Sequence, residues 1–567
     1  MLYSKLVEIY SQLEGTTKKL EKAGIISGFL KGIKKEHNRR DIIYLIQGNV
    51  FPESNSQVLG VSEQLTVKSI AMASGLGNEE IVSEWRKKGD LGDVAEWAMS
   101  RKGKSIVKNK ELEVERIVLN IRKLAQLEGK GTVEKKLVLI SELLSMAAPL
   151  ESKYIVRTVL SDMRIGVQEG ILRDAIFDAC FSMDDKTKEN EVLLQKAYDL
   201  TTDFGLVFDY ACEGVGKLRE ISLMPGKPIK VMLFPKADSI EDAFRIVGKP
   251  AAFEYKYDGF RVIISKSKNG VTIYTRRLEE VSKQFPDVVK YVQKHVSADN
   301  FIVDGEVVGY NPLTKEYLPF QEISQRIKRI YDIEKLEKEL PIEIVLFDLL
   351  YLDGKSLLEE PFIERRKALE KIARPENYKL SLAKQIITDD ENKVRKFYDE
   401  SLKAGEEGIM GKNLQSPYKP GARIGYAVKL KPDAEELDLV ITKAEYGTGK
   451  RAGWLTSYSV SCLGKSGELL EVGKVSTGLK EKPEEGLSFD EMTKLLKPLI
   501  ESENGREVTV RPKIVAMIQY QNIQKSPTYT SGYALRFPRI KVIRPDKKIE
   551  DANTLRDIEK DYKKHKG

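Results

Sequence analysis

The stretch Glu254-Tyr255-Lys256-Tyr257-Asp258-Gly259-Phe260-Arg261 places one lysine beside carboxylates, a glycine and an arginine at fixed short spacing. A lysine so placed can act as a nucleophile toward phosphate. A lone K-x-D-G-x-R string is also what a solvated strand and turn would show, so its meaning depends on its surroundings. Just downstream, RVIISKS (261–267) and VTIYTRR (271–277) alternate apolar with polar residues about Lys268-Asn269-Gly270, the strongest hairpin signal in the chain. Further strands are expected at FIVDGEVVGY (301–310) and PIEIVLFDLLYL (341–352). ERRKALEKIA and NKVRKFYDESLKAG read as helices, the second stopped by Gly405. The middle of the chain, 221–432, is therefore expected to be α+β.

Upstream, residues 1–220 carry a helical pattern. In LEVERIVLNIRKLAQL the residues Ile117, Ile121 and Leu124 fall on one stripe at i, i+4, i+7. Basic clusters recur here: Lys31, Lys34, Lys35, Arg39 and Arg40, then Arg101, Lys102, Lys104, Lys108 and Lys110, with the turn Arg164-Ile165-Gly166-Val167. One such cluster is ordinarily a solvated helix face; several within a helical region suggest a surface for a phosphate backbone. Pro225, Gly226 and Pro228 break the helical pattern and mark a boundary. Downstream, from 433 to 567, short strands dominate: LDLVITKAEYG, TSYSVSCL, LLEVGKVS and EVTVRPKIVAMIQYQ, with glycine-rich turns between them. That pattern suggests a small β-barrel, followed from Lys547 to Gly567 by an appended charged surface helix.

At 567 residues the chain is too long for one core, so several domains are expected. Charged residues make up 32% and the net charge is +8, compatible with a polyanionic partner. The first residues carry charges where a signal peptide would be apolar, and no stretch approaches the roughly 18 apolar residues that span a bilayer. A soluble, intracellular protein without a membrane partner follows as the expectation. The three cysteines (Cys180, Cys212, Cys462) and three histidines are far apart in sequence, so no local disulfide framework or zinc motif can be built and any metal must be held by oxygen. Abundant Lys, Glu and Ile lean toward a thermophilic source.

Side chains two apart on a strand share a face, which pairs Asp304 with Glu306 in IVDGEVVG and Lys429 with Lys431 in AVKLKPD. Glu406, Glu407, Lys412 and Arg423 add to this concentration of charge. Phosphoryl transfer needs cations against phosphate oxygens and carboxylates for a hard metal, commonly magnesium, and this set holds both. A free lysine titrates near pH 10.4, so only about one in a few thousand is neutral at pH 7. Cations such as Arg261 or Lys429, a metal and partial burial would push Lys256 toward its neutral form, while nearby carboxylates would oppose it. AEYGTGK (444–450) lacks the first glycine of a P-loop and has Arg451 where Ser or Thr would hold magnesium.

The ordered set EYKYDGFR, YTRR, VDGEVVG, VLFDLLYLDG, EEGIMGK, AVKLK and ALRFPR resembles the signature series of the ATP-dependent DNA ligases, archaeal and eukaryotic replicative type, within the covalent nucleotidyltransferase superfamily. The resemblance covers nearly the whole chain. It implies an all-α N-terminal DNA-binding domain (1–220), an α+β adenylation domain (221–432) and a C-terminal all-β OB-fold barrel (433–567). By position, it makes Lys256 the residue that takes AMP from ATP, and Glu254 the neighbour of adenine. It likewise implies ribose contacts from Arg261 and Glu306, a phosphate and nick contact from Arg276, and base stacking by Phe347. Lys412, Arg423, Lys429 and Lys431 resemble the cations that engage the nucleotide phosphates; Arg536 and Arg539 match the barrel motif that reaches the triphosphate. Glu407, with Glu306, resembles the carboxylates for Mg2+ or another divalent cation.

What the resemblance implies is sealing of nicked duplex DNA in replication, repair and recombination, by a cytoplasmic, nucleoid-associated monomer with a sliding clamp as partner. ADP, GTP or NAD as nucleotide donors besides ATP stay open. An RNA ligase or a capping nucleotidyltransferase would share the lysine motif and barrel, but the long helical N-terminal region argues against both. An NAD-dependent DNA ligase would bring a four-cysteine zinc site, and three cysteines cannot supply one. A non-catalytic DNA-binding scaffold would show broken motifs, and none is broken.

Overall fold

The computed structural model describes residues 1–55, 57–102, 111–127, 129, 131–327, 329, 332–432, 434–448, 451, 453–564. Lys104, Lys108 and Lys110 of the second basic cluster lie outside the described residues. The chain divides into two compact units, one of Met1–Val82 with Leu91–Lys431, the other of Ser83–Asp90 with Pro432–Gly567. Among the described residues no helix is long and apolar enough to cross a membrane.

In the first unit and the Ser83–Asp90 segment, the chain from Tyr3 to Arg219 forms thirteen helices among the described residues. Local chemistry sets several of their ends. Ser62 and Asp203 accept hydrogen bonds from the backbone N–H of Leu65 and Leu206, and Gly75, at φ 80°, closes the helix Glu63–Ser74. Ile117, Ile121 and Leu124 are fully buried, as their spacing requires. In the first basic cluster, Arg39 and Arg40 both pair with Asp209, so part of that charge is neutralised within the fold.

Two sheets follow. The first contains β1 (Ala251–Tyr255), and the second begins with β2 (Phe260–Ser267) and β3 (Gly270–Thr275), joined through the expected hairpin at Lys268-Asn269. The second sheet continues with β4 (Phe301–Tyr310), β5 (Tyr317–Leu318), β6 (Ile342–Leu352), β7 (Lys355–Ser356) and β8 (Leu380–Leu382). Its order is β3-β2-β4-β6-β7, with β5 on β4 and β8 parallel to β6. The first sheet is completed by β9 (Gln385–Thr388), β10 (Ile409–Asn413) and β11 (Ala427–Leu430) in the order β11-β10-β1-β9. The segment from Lys256 to Gly259 thus carries the chain from one sheet to the other. Gly259 is required there, because a Cβ would stand 2.2 Å from the Val307 carbonyl oxygen. The helices Phe362–Ile372 and Glu391–Lys403 match the expected ones, and Gly405, at φ 81°, follows the second.

In the second unit a seven-stranded antiparallel sheet is built from β12 (Glu435–Tyr446), β13 (Leu455–Leu463), β14 (Leu469–Val475), β15 (Ile500–Asn504), β16 (Glu507–Val510), β17 (Val515–Tyr520) and, after the separate hairpin of β18 (Asn522–Lys525) and β19 (Tyr533–Arg536), β20 (Arg539–Ile543). One expectation is corrected here. EVTVRPKIVAMIQYQ is two strands, broken at Arg511-Pro512, where proline has no N–H for the ladder. No strand pairing among the described residues closes the sheet into a barrel. The terminal helix Leu555–Lys564 is not merely superficial, since Ile558 is fully buried in the core of this unit.

Candidate active site

Lys256 follows directly on β1, and the antiparallel pairing of β1 with β10 continues past the strand ends. The Lys256 N–H donates to the Gly408 carbonyl at 2.8 Å and the Glu407 N–H donates to the Lys256 carbonyl at 2.9 Å. This register sets Glu407 opposite Lys256, with the ammonium and the carboxylate 2.5 Å apart; the same carboxylate oxygen pairs with Lys431. Gly408, at φ 129°, makes the approach possible, since a Cβ there would stand 2.3 Å from the Leu430 carbonyl oxygen.

Of the opposing influences expected on Lys256, the carboxylates prevail. Burial disfavours its ammonium form, but Glu407, Glu306 and Asp258 outweigh burial and hold its pKa above the usual lysine value. Burial likewise disfavours the Glu407 carboxylate, yet Lys256 and Lys431 hold its pKa down at about 2. Glu306 goes the other way: burial raises it to about 7 despite Lys256 and Arg261. Glu406 is raised by burial to about 8, although one of its oxygens accepts a hydrogen bond from the Asp258 N–H at 3.2 Å. In the free protein the lysine therefore rests as a charged ammonium.

Beside this cluster stands a second group of cations. Lys429 and Lys431 share a face as their spacing predicts, and the Lys429 pKa is lowered by burial and then by Lys431, Lys256, Arg423 and Arg276. Arg276, just after β3, and Arg423 are both exposed.

The apolar end of the site is a small cavity lined among others by Phe347, Arg261, Lys412, Met232, Phe234 and Tyr418. The buried Glu254 receives a hydrogen bond from the Gln385 amide at 2.8 Å and pairs with Lys412 at 2.5 Å and Arg366 at 3.4 Å. Lys412 also lies 4.7 Å from the Phe347 ring centroid. Arg261 donates to both oxygens of Asp304, at 2.9 and 2.6 Å, and to the Met232 carbonyl at 2.7 Å. The fully buried Tyr418 hydroxyl donates to Asp304 at 2.8 Å and accepts from the Met232 N–H at 3.1 Å.

Of the residues expected from sequence, the first unit brings Lys256, Glu306, Glu407, Lys429, Lys431, Arg276 and Arg423 into one charged cluster. Glu254, Lys412, Phe347 and Arg261 gather at the cavity. Arg536 and Arg539 belong to the second unit, where Arg536 is buried with its guanidinium 5.2 Å from the Phe537 ring and Arg539 is exposed on β20. Sequence reading missed Gln385, Arg366 and Tyr418, which hold Glu254 and Arg261. Only the β1–β9 register, which sets Glu254 opposite Gln385, reveals the first of these.

Three family models cover most of the chain: the DNA ligase N terminus at residues 2–177, the ATP dependent DNA ligase domain at 231–431, and the ATP dependent DNA ligase C terminal region at 451–547. The chain belongs to the ATP-dependent DNA ligases, and its activity is the sealing of nicks with ATP. Within that family it is of the archaeal type. It is 45% identical to the DNA ligase of Nanoarchaeum equitans over 100% of this chain and 99% of that one. It is 41% identical to the DNA ligase of Thermococcus fumicolans, covering 99% and 98%. The solved structure Pmar-Lig_PreS3, at 16% identity and TM-score 0.58, covers 95% of this chain and 99% of its own, and shares the fold.

Proposed function

We propose that Lys256 carries the covalent step. Its amine attacks the α-phosphate of ATP, a P–N bond to AMP forms and pyrophosphate leaves. AMP then passes to the 5′-phosphate of the nick, and the 3′-hydroxyl displaces AMP as the phosphodiester closes. The observation that carries this reading is the convergence on one lysine of two cations, Lys429 and Lys431, and two carboxylates, Glu306 and Glu407, at the crossing between two sheets. In this reading Phe347 stacks on the base, Glu254, held by Lys412, faces adenine, and Arg261 faces the ribose. Lys429, Lys431, Arg276 and Arg423 meet the phosphates, where positioning and neutralisation of charge do most of the catalytic work.

Glu306 and Glu407 fit a hard divalent cation such as Mg2+, which takes one or two carboxylates and completes its shell with water and phosphate oxygens. No group of three His, Cys, Asp or Glu among the described residues would hold a metal unaided. When bound, the cation would draw the charge of these carboxylates away from Lys256 and neutralise phosphate oxygens. Residues 1–220 serve in the same reading as the all-α DNA-binding domain, 221–432 as the adenylation domain, and 433–567 as an OB-fold domain that presents Arg536 and Arg539 to the triphosphate. A monomer working with a sliding clamp completes it.

The test is incubation with α-labelled ATP and magnesium followed by denaturing electrophoresis. Label on the wild-type chain and none on Lys256→Ala is the expected result. Label that survives Lys256→Ala overturns the assignment.

A further inference from the structure

Cys180 and Cys212, 32 positions apart in sequence, are neighbours in space: their sulfurs lie 3.4 Å apart. Cys180 ends the helix Glu169–Cys180 and Cys212 lies in the last turn of Phe204–Glu213. Their separation in sequence rules out a local motif, and the packing of two helices brings them together all the same. Both are half-buried, whereas Cys462 is buried in the second unit.

The two helices are firmly held. Ile176 and Phe208 are fully buried, Ala179 and Ala211 nearly so, and Asp209, one turn before Cys212, is clamped by Arg39 and Arg40. A disulfide bond is about 2.05 Å long, so the sulfurs need to close by about 1.4 Å, a distance within reach of side-chain rotation. The two sulfurs are also unlike. The hydrogen bond from Cys180, with smaller contributions from Arg39 and Lys34, holds the Cys212 thiol below its usual pKa against the effect of burial. The same contact and burial push Cys180 up. Cys212 is thus the better attacking group.

We propose that Cys180 and Cys212 form a dithiol site that a low-molecular-weight disulfide oxidises reversibly to an intramolecular disulfide. The Cys212 thiolate attacks one sulfur of the small disulfide, a mixed disulfide forms and one small thiolate leaves. The Cys180 thiol gives up its proton and attacks the Cys212 sulfur; the Cys180–Cys212 bond forms and the second small thiolate leaves. Two protein thiols are oxidised and one small disulfide is reduced to two thiols. The bond closes a loop around the helix Lys188–Thr201, and restricts the unfolded chain more than the folded one.

The test uses the full-length chain, reduced and then incubated with oxidised glutathione. The products are examined by intact mass, by thiol counting under denaturing conditions and by thermal unfolding. Free thiols are expected to fall from three to one, with the loss of two hydrogens and a cross-linked peptide containing Cys180 and Cys212. The oxidised wild-type chain is expected to unfold about 5 °C or more above the reduced one. Cys180→Ala is expected to stop at a glutathione adduct on Cys212. A wild-type chain that keeps both thiols, or that ends as a stable glutathione adduct on either cysteine, overturns the proposal. So does an oxidised wild type whose unfolding temperature is unchanged. The oxidised and reduced wild type are compared directly, so the conclusion survives a variant that fails to fold.

Discussion

Lys256 and Glu407 face each other as an ion pair at 2.5 Å, and Glu407 is shared with Lys431. The proposed nucleophile and the strongest influence keeping it protonated are therefore in direct contact. Glu407→Gln removes that influence, so the Lys256 pKa falls and more of the amine is neutral at a given pH. In single-turnover formation of lysyl-AMP, the acid limb of the rate profile is expected to move to lower pH. The maximum rate drops about tenfold or more, because a carboxylate assigned to the metal is lost. An acid limb that stays in place or moves upward counts against the pairing as the control on Lys256.

Glu406 yields a prediction for stability. Its pKa is raised from 4.5 to about 8, so between these values the folded state binds more protons than the unfolded state. Stability contributed by the protonated group is present below pH 4.5 and lost as pH rises toward 8. Glu406→Gln keeps an acceptor for the Asp258 N–H and cannot ionise. The decline of the unfolding temperature between about pH 5 and 8 should therefore be shallower in this variant. An identical decline in both proteins would remove Glu406 from the explanation.

Gln385 tests how Glu254 is held. Gln385→Ala removes one hydrogen bond to a buried carboxylate, a loss of about 1–2 kcal/mol in its positioning. The KM for ATP in self-adenylation should rise about 5- to 30-fold with a smaller change in kcat. An unchanged KM would show that Glu254 is fixed by Lys412 and Arg366 alone.

Gly259 allows no side chain, because a Cβ would collide with the Val307 carbonyl. Gly259→Ala is expected to displace the crossing segment and slow lysyl-AMP formation about 100-fold, the scale of a 1 Å misplacement of a reacting group. Circular dichroism and thermal unfolding should show the variant still folded; full activity would mean that the segment yields freely.

The buried pair Arg326–Asp287, two hydrogen bonds of 2.9 Å with both side chains almost inaccessible, lies in the core of the second sheet's domain. Asp287→Ala leaves the guanidinium without its counter-charge and should cost about 3–5 kcal/mol, read as a lower unfolding temperature. An unchanged unfolding temperature would show that Arg326 finds compensation in the Gln284 and Leu340 carbonyls.

Much of the site was legible because strand periodicity is local. Asp304 with Glu306 and Lys429 with Lys431 share faces for the reason that successive strand side chains alternate, and the hairpin at Lys268-Asn269 follows from turn chemistry. The break at Pro512 was equally local, yet the apolar run on both sides hid it. Gln385, Arg366 and Tyr418 carried no such signal: each matters through a residue more than 100 positions away. The Cys180–Cys212 contact, across 32 positions, was likewise invisible, being set by the packing of two helices.

By itself the sequence determined the family, the order of its motifs, the candidate lysine and the faces on which paired charges lie, because all of these are written in residue types at short spacing. Only the tertiary structure decided the charge state in which Lys256 waits. That state depends on how many carboxylates the two sheets deliver to one buried point, where those neighbours, distant in sequence, outweigh the cost of burying the ammonium.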